Sequence, residues 1–200
     1  MDAQADLFGA HIATAPAIPP GFRYQPEVIS AGVEARLVAN LAELPFKPFE
    51  FHGYLGNRRV VSFGYRYDYA RRVVEAATPM PAFLQDLREH LCGFGQRPAE
   101  DFVQVLINEY APGAGIGWHR DKPQFGLVMG LSLLAPCVLR LRRKAGVGWE
   151  RRTARLEPRS AYLLDGPART EWEHSITPME ALRYSITFRT LPVGGHDPPS

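Results

Sequence analysis

In Trp118-His119-Arg120-Asp121 an imidazole and a carboxylate stand two residues apart. Extended backbone points residues i and i+2 to one face, so His119 and Asp121 can share an ion while Trp118 faces the other way. A third ligand must come from elsewhere, and His174 lies far enough downstream for several strands to carry the chain around a sheet and back. Two neutral imidazoles and one carboxylate on one side of an ion leave positions open for a chelating acid and dioxygen, as in non-haem iron(II) oxygenases. Zinc hydrolysis uses ligands of the same kinds, and a lone His-x-Asp pair is often incidental. The histidines at 11, 52, 90 and 196 read as surface or structural residues.

A second chemical signal is Leu182-Arg183-Tyr184-Ser185-Ile186-Thr187-Phe188-Arg189, which alternates strictly. Arg183, Ser185, Thr187 and Arg189 share one strand face and the apolar residues the other. If the polar face is wet, both arginines are ordinary surface charges. If it lines a cavity, two permanent guanidinium forks demand anions, and a dicarboxylate supplies them. Asn108 and Tyr110 repeat the i, i+2 pattern with an amide and a phenol.

These groups need a scaffold. The chain has 200 residues and a net charge of +2, enough for one substantial core and too little charge to argue a nucleic-acid partner by itself. No apolar run is long enough to span a bilayer, and the acidic start does not read as a secretory signal, so a cytoplasmic protein without membrane attachment is expected. Cys92 and Cys137 cannot build a disulfide framework and read as core thiols. Residues 1–22, rich in Ala and Pro, read as a flexible tail, as do residues 193–200. Helical spacing predicts a first helix over 26–44 and a second over 81–94 closed by Gly93 and Gly95. Residues 46–70 read as short strands and turns. From Asp101 onward, 102–110, 126–134, 138–142, 151–156, 161–164 and 182–190 read as short strands. Strands in series with helices outside them mean a mainly β, α+β domain over 23–192, a sandwich or barrel. Gly113, Gly115 and Gly117 suggest a tight loop ahead of the metal strand.

The run from Asn108 to Lys122, followed by His174 and then Arg183 to Arg189, resembles the AlkB family of iron(II)/2-oxoglutarate dioxygenases over roughly residues 45 to 190. The resemblance implies a double-stranded β-helix (jelly-roll, cupin-like) core over about 101–191 and a substrate lid over about 46–72. It implies iron(II) on His119, Asp121 and His174, and 2-oxoglutarate on Asn108, Tyr110 and Arg189. Arg183 is implied to support both the co-substrate and the metal carboxylate. The family consumes dioxygen and 2-oxoglutarate, releases succinate and CO2, and hydroxylates N-alkyl groups, mostly on nucleobases, so that the carbon leaves as an aldehyde such as formaldehyde.

The substrate is less legible. Residues 58–72 interleave arginines with tyrosines, suiting phosphate pairing and base stacking, and Arg58, Arg59, Tyr65 and Tyr67 are the candidate contacts. The expected partner is a single-stranded DNA or RNA with alkylated bases, met by a monomer. Pro123 stands where the first-described family member has an acidic residue that meets the base, and Arg58 stands near its lid tryptophan, so base preference does not carry over. Pro123 and the modest net charge motivate an alternative, the same chemistry on a protein side chain or small metabolite. A cupin-like binding domain with a structural metal is a third reading. The basic run Arg140, Arg142, Arg143, Lys144, with Arg151 and Arg152, could follow a phosphate backbone or form a solvated hairpin.

Overall fold

The computed structural model describes residues 18–51, 54–68 and 73–192; most of the two predicted tails therefore lies outside the described residues. The chain runs β1 (Phe22–Gln25), α1 (Ala31–Ala42), β2 (Lys47–Phe51), β3 (Tyr54–Asp68), β4 (Val73–Ala76), α2 (Ala82–Gly95), then a 3-10 turn over Ala99–Asp101. It continues β5 (Phe102–Tyr110), β6 (Ile116–His119), β7 (Val128–Leu133), β8 (Cys137–Ala145), β9 (Gly148–Leu156), β10 (Ala161–Leu164), α3 (Gly166–Thr170), β11 (Glu173–Ile176) and β12 (Arg183–Thr190). Two antiparallel sheets form, an eight-stranded one in the order β1-β10-β7-β12-β5-β3-β2 with β4 on β3, and a four-stranded one in the order β6-β11-β8-β9. This is the expected jelly roll, with two helices outside it.

Alternation along β5, β7 and β12 explains the layering. One set of side chains (Val105, Ile107, Met129, Leu131, Ile186, Phe188) packs against Leu37 and Leu41 of α1 and Leu84, Leu87 and Leu91 of α2. The other set faces the small sheet, where Leu139, Leu141, Leu156 and Trp172 close a second core against Tyr110, Val128 and Tyr162. A strand buried on both faces cannot spare its polar face for water, so β12 is buried from end to end.

Boundaries moved where local chemistry overrode periodicity. The first helix starts at Ala31 rather than 26, because Ser30 accepts a hydrogen bond from the Val33 amide and caps it. The segment before it is pinned to the sheet edge by Val28 N–H on Arg159 O, at 2.9 Å. The second helix runs through both glycines and ends at Gln96, which adopts the left-handed conformation itself. Gly95 serves packing, since a Cβ there would lie 2.6 Å from the Phe102 ring. The folded region also begins earlier than 23. Pro19 is buried, the Ala168 amide donates to Pro20 O, and β1 adds to the sheet beside β10. Where several short strands were expected over 46–70, the described residues form β2 and the long β3, which pairs with β2 and β4. Cys137 is buried and Cys92 half-buried, both as free thiols. Among the described residues no helix is long and apolar enough to cross a membrane.

Candidate metal and co-substrate site

β6 is the edge strand of the small sheet and pairs antiparallel with β11, so that His119 sits opposite His174. The two rings lie 4.3 Å apart between centroids, tilted by 57°. Asp121 follows two residues after the strand ends, with Oδ2 at 3.9 Å from His174 Nε2. Ligand atoms from all three residues lie within 4.8 Å of one another, so one ion can touch all of them. His119 Nδ1 lies 2.9 Å from Gly117 O. Only an N–H donates to a carbonyl, which leaves the Nε2 lone pair free for a metal. Close backbone approach fixes the register of this strand, since a Cβ on Gly115 would lie 2.8 Å from Ile176 O.

Electrostatics keep the ligands in the right protonation states. Burial by itself would raise the Asp121 pKa, but the charge of Arg189, helped by His174, His119 and Arg169, holds it far below the usual carboxylate range. Burial lowers the His174 pKa to about 4, against the pull of Asp121, so its imidazole is neutral at physiological pH. Arg189 Nη2 donates to Asp121 Oδ1 at 3.2 Å, and its Nη1 to Gln104 Oε1 at 3.1 Å. Arg169, from α3, donates to four main-chain carbonyls, Asp121, Lys122, Phe125 and Gly126, at 2.6 to 3.2 Å. It clamps the loop that presents the metal carboxylate. Gly-Pro-Ala-Arg reads only as a turn, and nothing local marks this role.

Arg183 is fully buried. Its Nε donates to Ser132 Oγ at 3.1 Å and its guanidinium faces the Tyr110 ring at 5.3 Å, but Nη1 and Nη2 have no partner. A buried cation with two unfilled donors is costly unless an anion completes it, so the residues here fit a carboxylate ligand. Tyr162 lies across Gly130, where a Cβ would come within 2.3 Å of its ring, and hydrogen-bonds with Ser185. Burial pushes its phenol up to about 12, so it stays protonated beside the arginine. Asn108 and Tyr110 share this cavity face with Arg183 and Ser185 through the register of β5 on β12.

The geometry differs from expectation in one contact. Arg189, not Arg183, supports the metal carboxylate, because the strand places Arg189 beside the Asp121 loop. Six residues of strand, roughly 20 Å, separate the two Cα atoms. Of the two arginines expected to meet nucleic acid, Arg58 is turned inward while Arg59 stays half-exposed. Arg58 is buried, donates to Asn108 Oδ1 at 3.1 Å and stacks on Phe49 at 3.7 Å. It props the cavity amide. Arg59 forks onto Glu109 at 2.6 and 2.8 Å on the opposite, helix-packed face, where Tyr184 O–H joins the same carboxylate. Tyr65 is half-buried at the start of the β3–β4 hairpin, and the Tyr67 side chain lies outside the described residues. A groove of about 920 Å³ between α1 and α2 lies on the helix side of the large sheet and holds none of the triad.

A family model described as the 2OG-Fe(II) oxygenase superfamily matches residues 40–189. The Arabidopsis thaliana "Alkylated DNA repair protein ALKBH8 homolog" is 26% identical over 181 residues, covering 78% of this chain and 51% of the relative. The Mus musculus "tRNA (carboxymethyluridine(34)-5-O)-methyltransferase ALKBH8" is 29% identical over 170 residues, covering 81% of this chain and 25% of the relative. The chain thus spans about half of the first relative's length and a quarter of the second's. The solved structure of OsALKBH1 superposes with a TM-score of 0.64 at 16% identity, covering 87% of this chain and 98% of that one, a likeness of fold.

Proposed function

Because the chain belongs to the 2OG-Fe(II) oxygenase superfamily, as an AlkB-like dioxygenase that uses iron(II), 2-oxoglutarate and dioxygen, we propose that it oxidatively removes N-alkyl groups from bases of single-stranded DNA or RNA. The observation that carries this reading is the triad of His119, Asp121 and His174 together with the buried, unpartnered Arg183 donors. Bound there, iron and 2-oxoglutarate supply the oxidising power that hydroxylates a C–H bond. The chain's residues supply position and charge. Arg183 takes the distal carboxylate of 2-oxoglutarate, with Tyr110 and Asn108 beside it and Arg58 holding the Asn108 amide in place. Arg189 keeps Asp121 ionised and aimed at the metal, as Gly117 O does for His119. Tyr65, on the β3–β4 hairpin, is assigned to stacking on the base.

Two of the relatives carry names that refer to alkylated DNA and to tRNA, which supports a nucleic-acid substrate and leaves its type to experiment. The alternative is the same chemistry on a protein side chain or small metabolite; the inward engagement of Arg58 with Asn108 favours it, since that guanidinium is not offered to phosphate. The two readings separate in one assay. The protein is incubated with iron(II), ascorbate, 2-oxoglutarate and single- and double-stranded oligonucleotides carrying N-methylated bases, with Asp121→Ala as the blank. Methyl loss by intact mass that requires 2-oxoglutarate and Asp121 is expected. Slow succinate formation with no methyl loss on any oligonucleotide would move the substrate to proteins or metabolites.

A further inference from the structure

The outer face of the small sheet carries a charge pattern the site does not use. Trp118 points to this face from β6, opposite in sense to its neighbour His119. From β8 come Arg140, Arg142 and Lys144, and from β9 Trp149 and Arg151, brought alongside by pairing of Arg142 with Arg151 and of Lys144 with Trp149. The Arg142 guanidinium lies between two indoles, 4.3 Å from the Trp118 centroid and 4.1 Å from that of Trp149. Arg140 lies over Trp118 at 5.1 Å, and Lys144 Nζ over Trp149 at 4.7 Å.

Ion pairing on this face is uneven. Arg142 pairs with Glu173 at 2.7 Å, and Arg143, on the opposite face of the strand, is held by both Glu150 and Glu171 at 2.7 Å. Among the described residues Arg140 bonds only the neutral Ser175 hydroxyl, at 3.0 Å. Lys144 and Arg151 are exposed, and among the described residues no carboxylate pairs with them or with Arg140. Among the described residues the sheet therefore presents three cations without a carboxylate partner around two partly exposed indoles, and Glu173 on the same face is itself paired with Arg142. Cations spaced along strands match successive phosphates, and indoles offer faces on which unpaired bases stack.

We infer that the outer face of the four-stranded sheet is a docking track for single-stranded nucleic acid flanking the base being modified. Because β6 is the edge strand, one strand's width separates the track from the metal side, and a strand entering the cavity can turn around that edge. The track rests on nucleic acid being the substrate class of the Proposed function, but its test does not depend on turnover.

The test is fluorescence anisotropy of the full chain with unmodified single strands of about twelve nucleotides, within the span such platforms cover. Replacing Arg140, Lys144 and Arg151 together by Gln should weaken binding about tenfold or more at low salt and reduce the log–log salt slope by about two. Trp149→Ala alone should weaken it about tenfold. Thermal shifts with Mn(II) and 2-oxoglutarate should match the parent, showing that fold and metal site survive. A parent that does not bind single strands, or variants that bind with the parent's affinity and slope, would overturn the track. Charge-dependent binding with no methyl loss leaves the track standing and removes the dealkylation reading. Methyl loss whose KM is unmoved in the triple variant does the reverse.

Discussion

The two faces of the large sheet are built from the same strands and solve opposite problems. Toward the helices, Val105, Ile107, Met129, Ile186 and Phe188 interdigitate with leucines and leave nothing to satisfy. Toward the small sheet, the same strands present Gln104, Asn108, Ser132, Arg183, Ser185 and Arg189, all buried, with two donors of Arg183 unpaired. Burial of apolar area holds the first face together. The second accepts unsatisfied charge in order to receive an anion. One face gives stability and the other gives up some of it for function.

That contrast is open to direct attack. Phe188→Ala, fully buried on the apolar face, should cost about 3–5 kcal/mol by denaturant melts, with turnover per folded molecule little changed. Arg183→Met should do the opposite, cutting 2-oxoglutarate turnover by about a hundredfold or more, while the protein without co-substrate gains about 1–3 kcal/mol from losing a buried unpaired cation. A loss of stability in Arg183→Met would break the comparison.

Acid titration probes the same face. His174 has a pKa of about 4 in the folded chain against an ordinary 6.5, so the unfolded state binds more protons between those values. Stability should therefore rise with pH across that window and fall by up to ~3 kcal/mol as pH drops through it. Urea midpoints of EDTA-treated protein would show this, and His174→Gln should flatten the profile. Arg169→Met should weaken metal affinity about tenfold to a hundredfold, read by Mn(II) titration, because the Asp121 loop loses its clamp. Smallest is Arg59→Ala, a loss under about 1 kcal/mol with oligonucleotide affinity unchanged, since its half-exposed pair with Glu109 serves the helix-side face.

Two of the metal ligands were legible because their information is local: His119 and Asp121 stand at strand spacing, and the alternation around Arg183 and Arg189 identifies a strand with a polar face. The strand series after Asp101 and the two helices follow from periodicity in the same way. Less legible were β1 and β11, each only four residues long and read as tail or connection, since their pairing partners lie far away in sequence. Arg169 and Tyr162 were missed for the same reason, as their partners come from other strands and loops.

By itself, then, the sequence determined the His119 and Asp121 pair and the strand periodicity, properties of neighbouring residues, and the family resemblance that adds His174. Only the tertiary structure decided which face each arginine serves. Register across β5, β7 and β12 sends Arg189 to the metal carboxylate and leaves Arg183 open. On β3, one step of alternation turns Arg58 into the cavity and Arg59 onto Glu109. A one-residue change of register exchanges the faces of a strand, and register is fixed by packing over the whole sheet rather than by any local pattern.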